Sequence, residues 1–208
     1  KIAGSIAAGA LDEVNNIIKP GVSTLEIDKL CYNYINDHKA FSAPLYYRGY
    51  PKSCCTSSNH VVCHGIPSEK ILNDGDILNV DVTAIKDGWH GDTSRMFVVG
   101  ECSVKAKKLI KTTYEAMMEA IKIIKANIKI GNIGYTIQKI VEAEGFSVVR
   151  DFCGHGIGKK FHESPNVLHY GEKNSGQELK AGMIFTVEPM INYGKFETKT
   201  LKDGWTAV

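Results

Sequence analysis

Asp81 and Asp92 lie in two apolar, β-branched stretches joined by Asp87-Gly88, a two-residue hairpin signal. Side chains alternate along a strand. In Ile77 to Ile85, Asn79, Asp81 and Thr83 therefore share one face, and Leu78, Val80, Val82 and Ala84 the other. With Asp87-Gly88 as the turn, Lys86 pairs with Trp89 and Thr83 with Asp92. Asp81 is then a diagonal neighbour of Asp92, with Cα atoms ~7–8 Å apart. Two carboxylates aimed into one space repel each other unless a cation lies between them. Two solvated acids on an exposed face are the plainer alternative. The fully apolar opposite face, and Ile77 and Ile85 beside the acids, argue for cover on both sides, where unpaired charge is expensive.

A second group follows in Cys153-Gly154-His155-Gly156-Ile157-Gly158, with Phe161-His162-Glu163 just beyond it. A lone histidine is most often structural, but His155 sits among three glycines that let backbone or ligand approach closely. Glu188 ends a strand expected over Met183 to Glu188 and stopped by Pro189. By parity it faces away from Phe185 and Val187, although a polar strand end would look the same. Carboxylates with one imidazole suit Mn(II), Fe(II), Co(II) or Zn(II) better than thiolate-loving ions. Two such ions ~3.5–4 Å apart share a water, lower its pKa and polarise a carbonyl for hydrolysis.

The elements that must hold these groups are legible from periodicity. Apolar residues over Ile2 to Ile18 form a helical stripe ended by Pro20-Gly21. Ser23 and Glu26 form a capping box for a second helix, whose buried face reads Ile27, Leu30, Cys31, Tyr34 and Ile35. A Tyr-, Gly- and Pro-containing loop spans about 40–52. After the two strands (Ile77 to Ile85, Trp89 to Val99), an amphipathic helix is expected from Val104 to Ala126. A shorter one follows from Ile133 to Glu144, before Gly145. Leu72-x-x-Gly75 leading to Val80-Asp81 recurs as Leu179-x-x-Gly182 leading to Val187-Glu188, and Lys86-Asp87-Gly88-Trp89 as Lys202-Asp203-Gly204-Trp205. The repeats point to a duplicated α+β unit, one domain with halves of about 1–102 and 103–208.

The 208 residues, 43% hydrophobic and 23% charged, describe a chain that can bury a real core. A net charge of +2 gives no reason to invoke nucleic acid, and no apolar run is long enough to span a bilayer. Cys31, Cys54, Cys55, Cys63, Cys102 and Cys153 include no C-x-x-C pair. Free thiols in a reducing compartment are the simplest reading, which places the protein in the cytoplasm.

The ordered set Asp81, Asp92, His155 and Glu188 resembles the metal site of the pita-bread peptidases, an α+β fold of two pseudo-symmetric helix-helix-strand halves around a central antiparallel sheet. Val61-Val62-Cys63-His64-Gly65-Ile66-Pro67, Asp87 to Ser94 and Gly154 to Gly158 narrow the resemblance to the type I methionine aminopeptidases. It implies removal of the initiator methionine from nascent chains when the second residue is small, by attack of a metal-held hydroxide on the scissile carbonyl. Asp81 would chelate one ion, Asp92 bridge both, and His155 and Glu188 bind the other, Glu188 also managing the proton of the attacking water. His162 would act on the scissile carbonyl and His64 on the leaving-side amide. Tyr47, Tyr50, Cys55, Phe161 and Trp205 match the methionine pocket. The family further implies up to two divalent ions (Co, Mn, Fe or Zn), nascent N-termini beginning with Met as partners, and a monomer; docking at the ribosome stays open. A fifth ligand, a glutamate, is expected beyond Val208. Two alternatives compete: a proline-specific pita-bread peptidase, expected to carry an extra N-terminal domain, and a catalytically dead binding module, expected to have lost metal ligands.

Overall fold

The structure, a computed structural model, describes residues 1–208. The chain forms two compact units: Lys1–Ser103 with Gly158–Phe161 and Lys199–Val208, and Val104–Ile157 with His162–Thr198. No helix is long and apolar enough to cross a membrane.

In the first unit, α1 (Ile2–Ile17) and α2 (Thr24–Asp37) precede the strands. The capping box of α2 is made in full. Ser23 Oγ accepts from the Glu26 N–H (3.2 Å), and Glu26 Oε2 accepts from the Ser23 N–H (2.7 Å). This satisfies two amides that the first helical turn would otherwise leave unbonded. Strand β3 (Ile77–Lys86) is central to a four-stranded antiparallel sheet. It pairs with β4 (Trp89–Val98) along its whole length, and with β1 (Phe41–Ser42) and β2 (Cys55–Ser58). The 3₁₀ turn Tyr47–Gly49 lies in the loop between β1 and β2. Asp87 and Gly88 both adopt positive φ, and the register is Lys86 opposite Trp89 and Thr83 opposite Asp92. Leu78, Val80, Val82 and Ala84 form one buried core with Ile6, Ala10 and Val14 of α1 and Ile27, Cys31 and Ile35 of α2. Ile2, counted into the helical stripe, is exposed. Gly91 is required by close packing, since a Cβ there would collide with the backbone of Ala3 and Gly4.

The second unit contains α3 (Val104–Lys122), α4 (Gly131–Ala143) and short ladders pairing β5 (Ser147–Val148) with β8 (Ile191–Asn192), and β6 (Gly154–Gly156) with β7 (Glu163–Val167). Helix α3 stops short of the expected Ala126. Asn127 takes positive φ and gives its N–H to the Leu179 carbonyl, and Ile130 gives its own to Gln177. Those amides serve a neighbouring segment instead of a helix. The strand expected over Met183 to Glu188 is not a continuous ladder either. Thr186 donates to His155 O, but the Glu188 N–H goes to the His169 imidazole, and Pro189 has no N–H to give. Met183, Phe185 and Val187 still pack together on the core around Ile133, Ile137 and Val141. The internal repeat holds at its glycines, with φ +90° and +93° at Gly75 and Gly182. Around Gly204 the turn differs from the hairpin at Gly88, because Asp203 Oδ1 accepts from the N–H groups of Trp205 and Thr206.

Candidate metal centre

The acids of the first unit stand on the sheet face that α1 and α2 leave uncovered. Asp81 and Asp92 are half-buried. Thr83, directly opposite Asp92, donates its hydroxyl to Asp92 Oδ1 at 2.9 Å and so fixes the carboxylate's rotation. Asp81 lies opposite Cys55 on β2. Burial pushes the Cys55 thiol well above the ordinary thiol range, and the negative charges of Asp81 and Asp92 add to the shift. Two carboxylates beside one buried thiol concentrate negative charge, which a divalent cation would neutralise.

Beside these acids the same unit builds an aromatic wall. Tyr50 and Trp205 meet edge to face at 5.1 Å, and Trp205 meets His64 at 6.4 Å. Tyr47 lies 5.0 Å from Phe161, and Phe161 stacks on His90 at 5.6 Å. Tyr50 donates its hydroxyl to main-chain carbonyls of Cys54 and Gly65 (3.0 and 3.1 Å), and burial lifts its pKa far above the usual phenol range. It therefore stays a neutral apolar surface. His64 has φ +55°, held there by its neighbours. Cys63 bridges to Ala207, and Gly65 presses so closely on Thr56 that a Cβ would strike the Thr56 carbonyl. Burial lowers the His64 pKa, leaving a neutral ring with one N–H to donate.

In the second unit the geometry converges on a nitrogen and an oxygen. His155 is buried on β6, and its Nδ1 lies 2.9 Å from the Gly156 carbonyl, a contact that requires Nδ1–H to donate. In the neutral ring Nε2 then keeps its lone pair. Nε2 is 3.6 Å from Glu188 Oε1, so two electron-pair donors face one another across a gap that suits a shared cation. Thr186 orients both: its hydroxyl donates to Glu188 Oε1 at 2.5 Å and accepts the His155 N–H at 2.9 Å. This is the outer layer of hydrogen bonds that a metal ligand needs. Gly154 lets the two segments touch, since a Cβ there would meet the Thr186 carbonyl. The His162 ring lies 4.2 Å from that of His155 and is exposed.

The structure thus sets Asp92 with Thr83 in one unit, and His155, His162 and Glu188 together in the other. Cys55, Tyr50, Trp205, His64, Tyr47 and Phe161 fall in the first unit. Sequence reasoning passed over Thr186, His169 and His90. His169 is fully buried, accepts the Glu188 N–H on Nε2 at 3.1 Å, and has its pKa pushed down to about 4 by burial. His90 hydrogen-bonds the Gly158 carbonyl through its ring and its backbone amide. Only Thr186 carried a signal in the sequence, since strand parity puts it on the face of Glu188.

The donor set and its hydroxyl supports fit a metal ion, and the proteins this chain resembles include metallopeptidases. A model of metallopeptidase family M24 matches residues 1–208. The chain is 55% identical to the methionine aminopeptidase of Escherichia coli strain K12 over 208 residues, covering 99% of this chain and 79% of that one. The crystal structure of methionine aminopeptidase from Rickettsia prowazekii superposes with a TM-score of 0.98 at 54% identity, over 99% of this chain and 84% of that one. An X-Pro aminopeptidase from Thermotoga maritima matches less well, with a TM-score of 0.74 at 25% identity and 53% of its chain covered. On this agreement in sequence and fold, the chain belongs to metallopeptidase family M24, among its methionine aminopeptidases.

Proposed function

We propose that the chain is a metal-dependent methionyl aminopeptidase that removes the initiator methionine from new proteins in the cytoplasm when the second residue is small. The observation that carries the reading is the His155–Glu188 pair, with Nε2 and Oε1 3.6 Å apart and both held by further hydrogen bonds. Asp81, Asp92, His155 and Glu188 would hold the metal. When bound, divalent ions acidify a water and polarise the scissile carbonyl. Glu188 accepts the proton that the attacking water gives up. His162 donates a hydrogen bond to the carbonyl oxygen as negative charge develops there, and His64 donates to the leaving-side nitrogen as it becomes an amine. Tyr47, Tyr50, Cys55, Phe161 and Trp205 enclose the methionine, whose flexible, polarisable thioether suits contact with aromatic rings.

Selection for a small second residue is part of this methionyl aminopeptidase reading. Hydrolysis of Met-Ala-Ser and Met-Leu-Ser peptides, with Mn(II) or Co(II) at defined concentration, tests this. Fast release of methionine from the first and little from the second is expected. Comparable rates, or preference for another first residue, would overturn the assignment.

A further inference from the structure

The main chain at Glu188 is held in an unusual way. Its segment is bonded to β6 at Thr186, but the next amide on that side, the Glu188 N–H, meets the ring nitrogen of His169 at 3.1 Å. His169 is 0% exposed, and its other nitrogen, Nδ1, has no hydrogen-bond partner in the protein. A leucine at 169 would fill the space without burying an unmet ring nitrogen, but would leave the Glu188 N–H without this acceptor. What the imidazole adds is an acceptor for one amide. Its own position is fixed from α4, where Gly134 comes so close to the 168–170 backbone that a Cβ would collide with the Leu168 and Tyr170 carbonyls.

We propose that His169 is a positioning residue, whose Nε2 anchors the Glu188 peptide so that the Glu188 carboxylate meets His155 in the geometry a metal ion requires. The anchor acts on one side of Glu188 and the Thr186 hydroxyl on the other: the first fixes the backbone, the second the carboxylate. Losing the first lets the peptide shift, and the ligand pair then has to be ordered when the ion binds. The proposal rests on the metallopeptidase reading given above.

Two measurements test it. In the metal-free, nitrogen-15-labelled protein, a scalar coupling across the hydrogen bond should connect the Glu188 amide nitrogen to His169 Nε2, with Nδ1 the protonated ring nitrogen. No coupling, or a proton on Nε2, overturns the proposal. Calorimetric titration with Mn(II) then compares wild type with His169→Leu and His169→Gln. The glutamine oxygen can replace Nε2 as acceptor, so His169→Gln should bind Mn(II) with near wild-type affinity. His169→Leu should bind ~10–100-fold more weakly, as for loss of other ligand-orienting groups. Equal affinity of folded His169→Leu and wild type, or an equal loss in the glutamine variant, overturns it. If His169→Leu does not fold, the coupling and the glutamine variant still decide. Failure of wild type to bind Mn(II) would instead count against the metallopeptidase reading itself.

Discussion

Thr83 and Thr186 play matching parts at two of the acids, donating to Asp92 at 2.9 Å and to Glu188 at 2.5 Å. Each hydroxyl fixes a carboxylate rotamer that charge repulsion alone would leave loose. Thr186→Val, which keeps shape and removes the donor, should weaken Mn(II) binding ~10–100-fold without unfolding the protein; titration calorimetry reads it. His162→Ala should behave differently, lowering kcat ~10²–10³-fold while metal affinity stays near wild type, because its proposed partner is an oxygen that becomes charged only during reaction. Normal turnover in that variant would remove His162 from the mechanism. His169 gives a third test. Its folded pKa is about 4 against an ordinary 6.5, so between those values the unfolded chain takes up a proton that the fold refuses. Stability contributed by the neutral ring is therefore present above pH 6.5, is lost as pH falls toward 4, and changes little below that. The loss is on the order of 3 kcal/mol, and His169→Gln, which cannot titrate, should show a shallower acid limb in urea denaturation.

At the scale of elements, β3 and β4 were the most readable part of the chain. Alternation, the Asp87-Gly88 turn and the position of Asp92 opposite Thr83 all follow from period and turn chemistry. The α2 capping box was equally plain, because both partners lie within one turn. The C-terminal end of α3 and the conformation of 183–188 were not readable, since in both cases distant groups compete for the backbone amides. Leu179 and Gln177 take those after α3, and His169 takes that of Glu188. No local pattern shows that a ring nineteen residues away will accept a particular N–H. Glycine carries the opposite lesson: Gly91 stands in an otherwise regular strand because α1 crosses it at backbone distance. Gly91→Ala should cost about 1–3 kcal/mol, measured as a lower urea midpoint with an unchanged slope. An unchanged midpoint would mean that the helix can move aside.

For the whole molecule, the proposed metal-binding roles of Asp81 and Asp92 set like charges side by side at some expense to the metal-free fold. A protein carrying both Asp81→Asn and Asp92→Asn should fold, be at least as stable as the metal-free wild type, and have no activity at any metal concentration. Mn(II) should raise the melting temperature of wild type and leave that of the double variant unchanged, because a ligand stabilises only the state that binds it. Wild-type affinity in the variant would place the ions elsewhere. The first compact unit also has a consequence in time. It is assembled from Lys1–Ser103, Gly158–Phe161 and Lys199–Val208, and Ala207 pairs with Cys63 while Trp205 packs on Tyr50. A ribosome delivers residue 103 long before residue 205, so the first sheet can form early while its aromatic wall waits for Trp205. Closing so long a loop is slow. The contact of Tyr50 with Trp205 therefore matures after the sheet that carries Asp81 and Asp92.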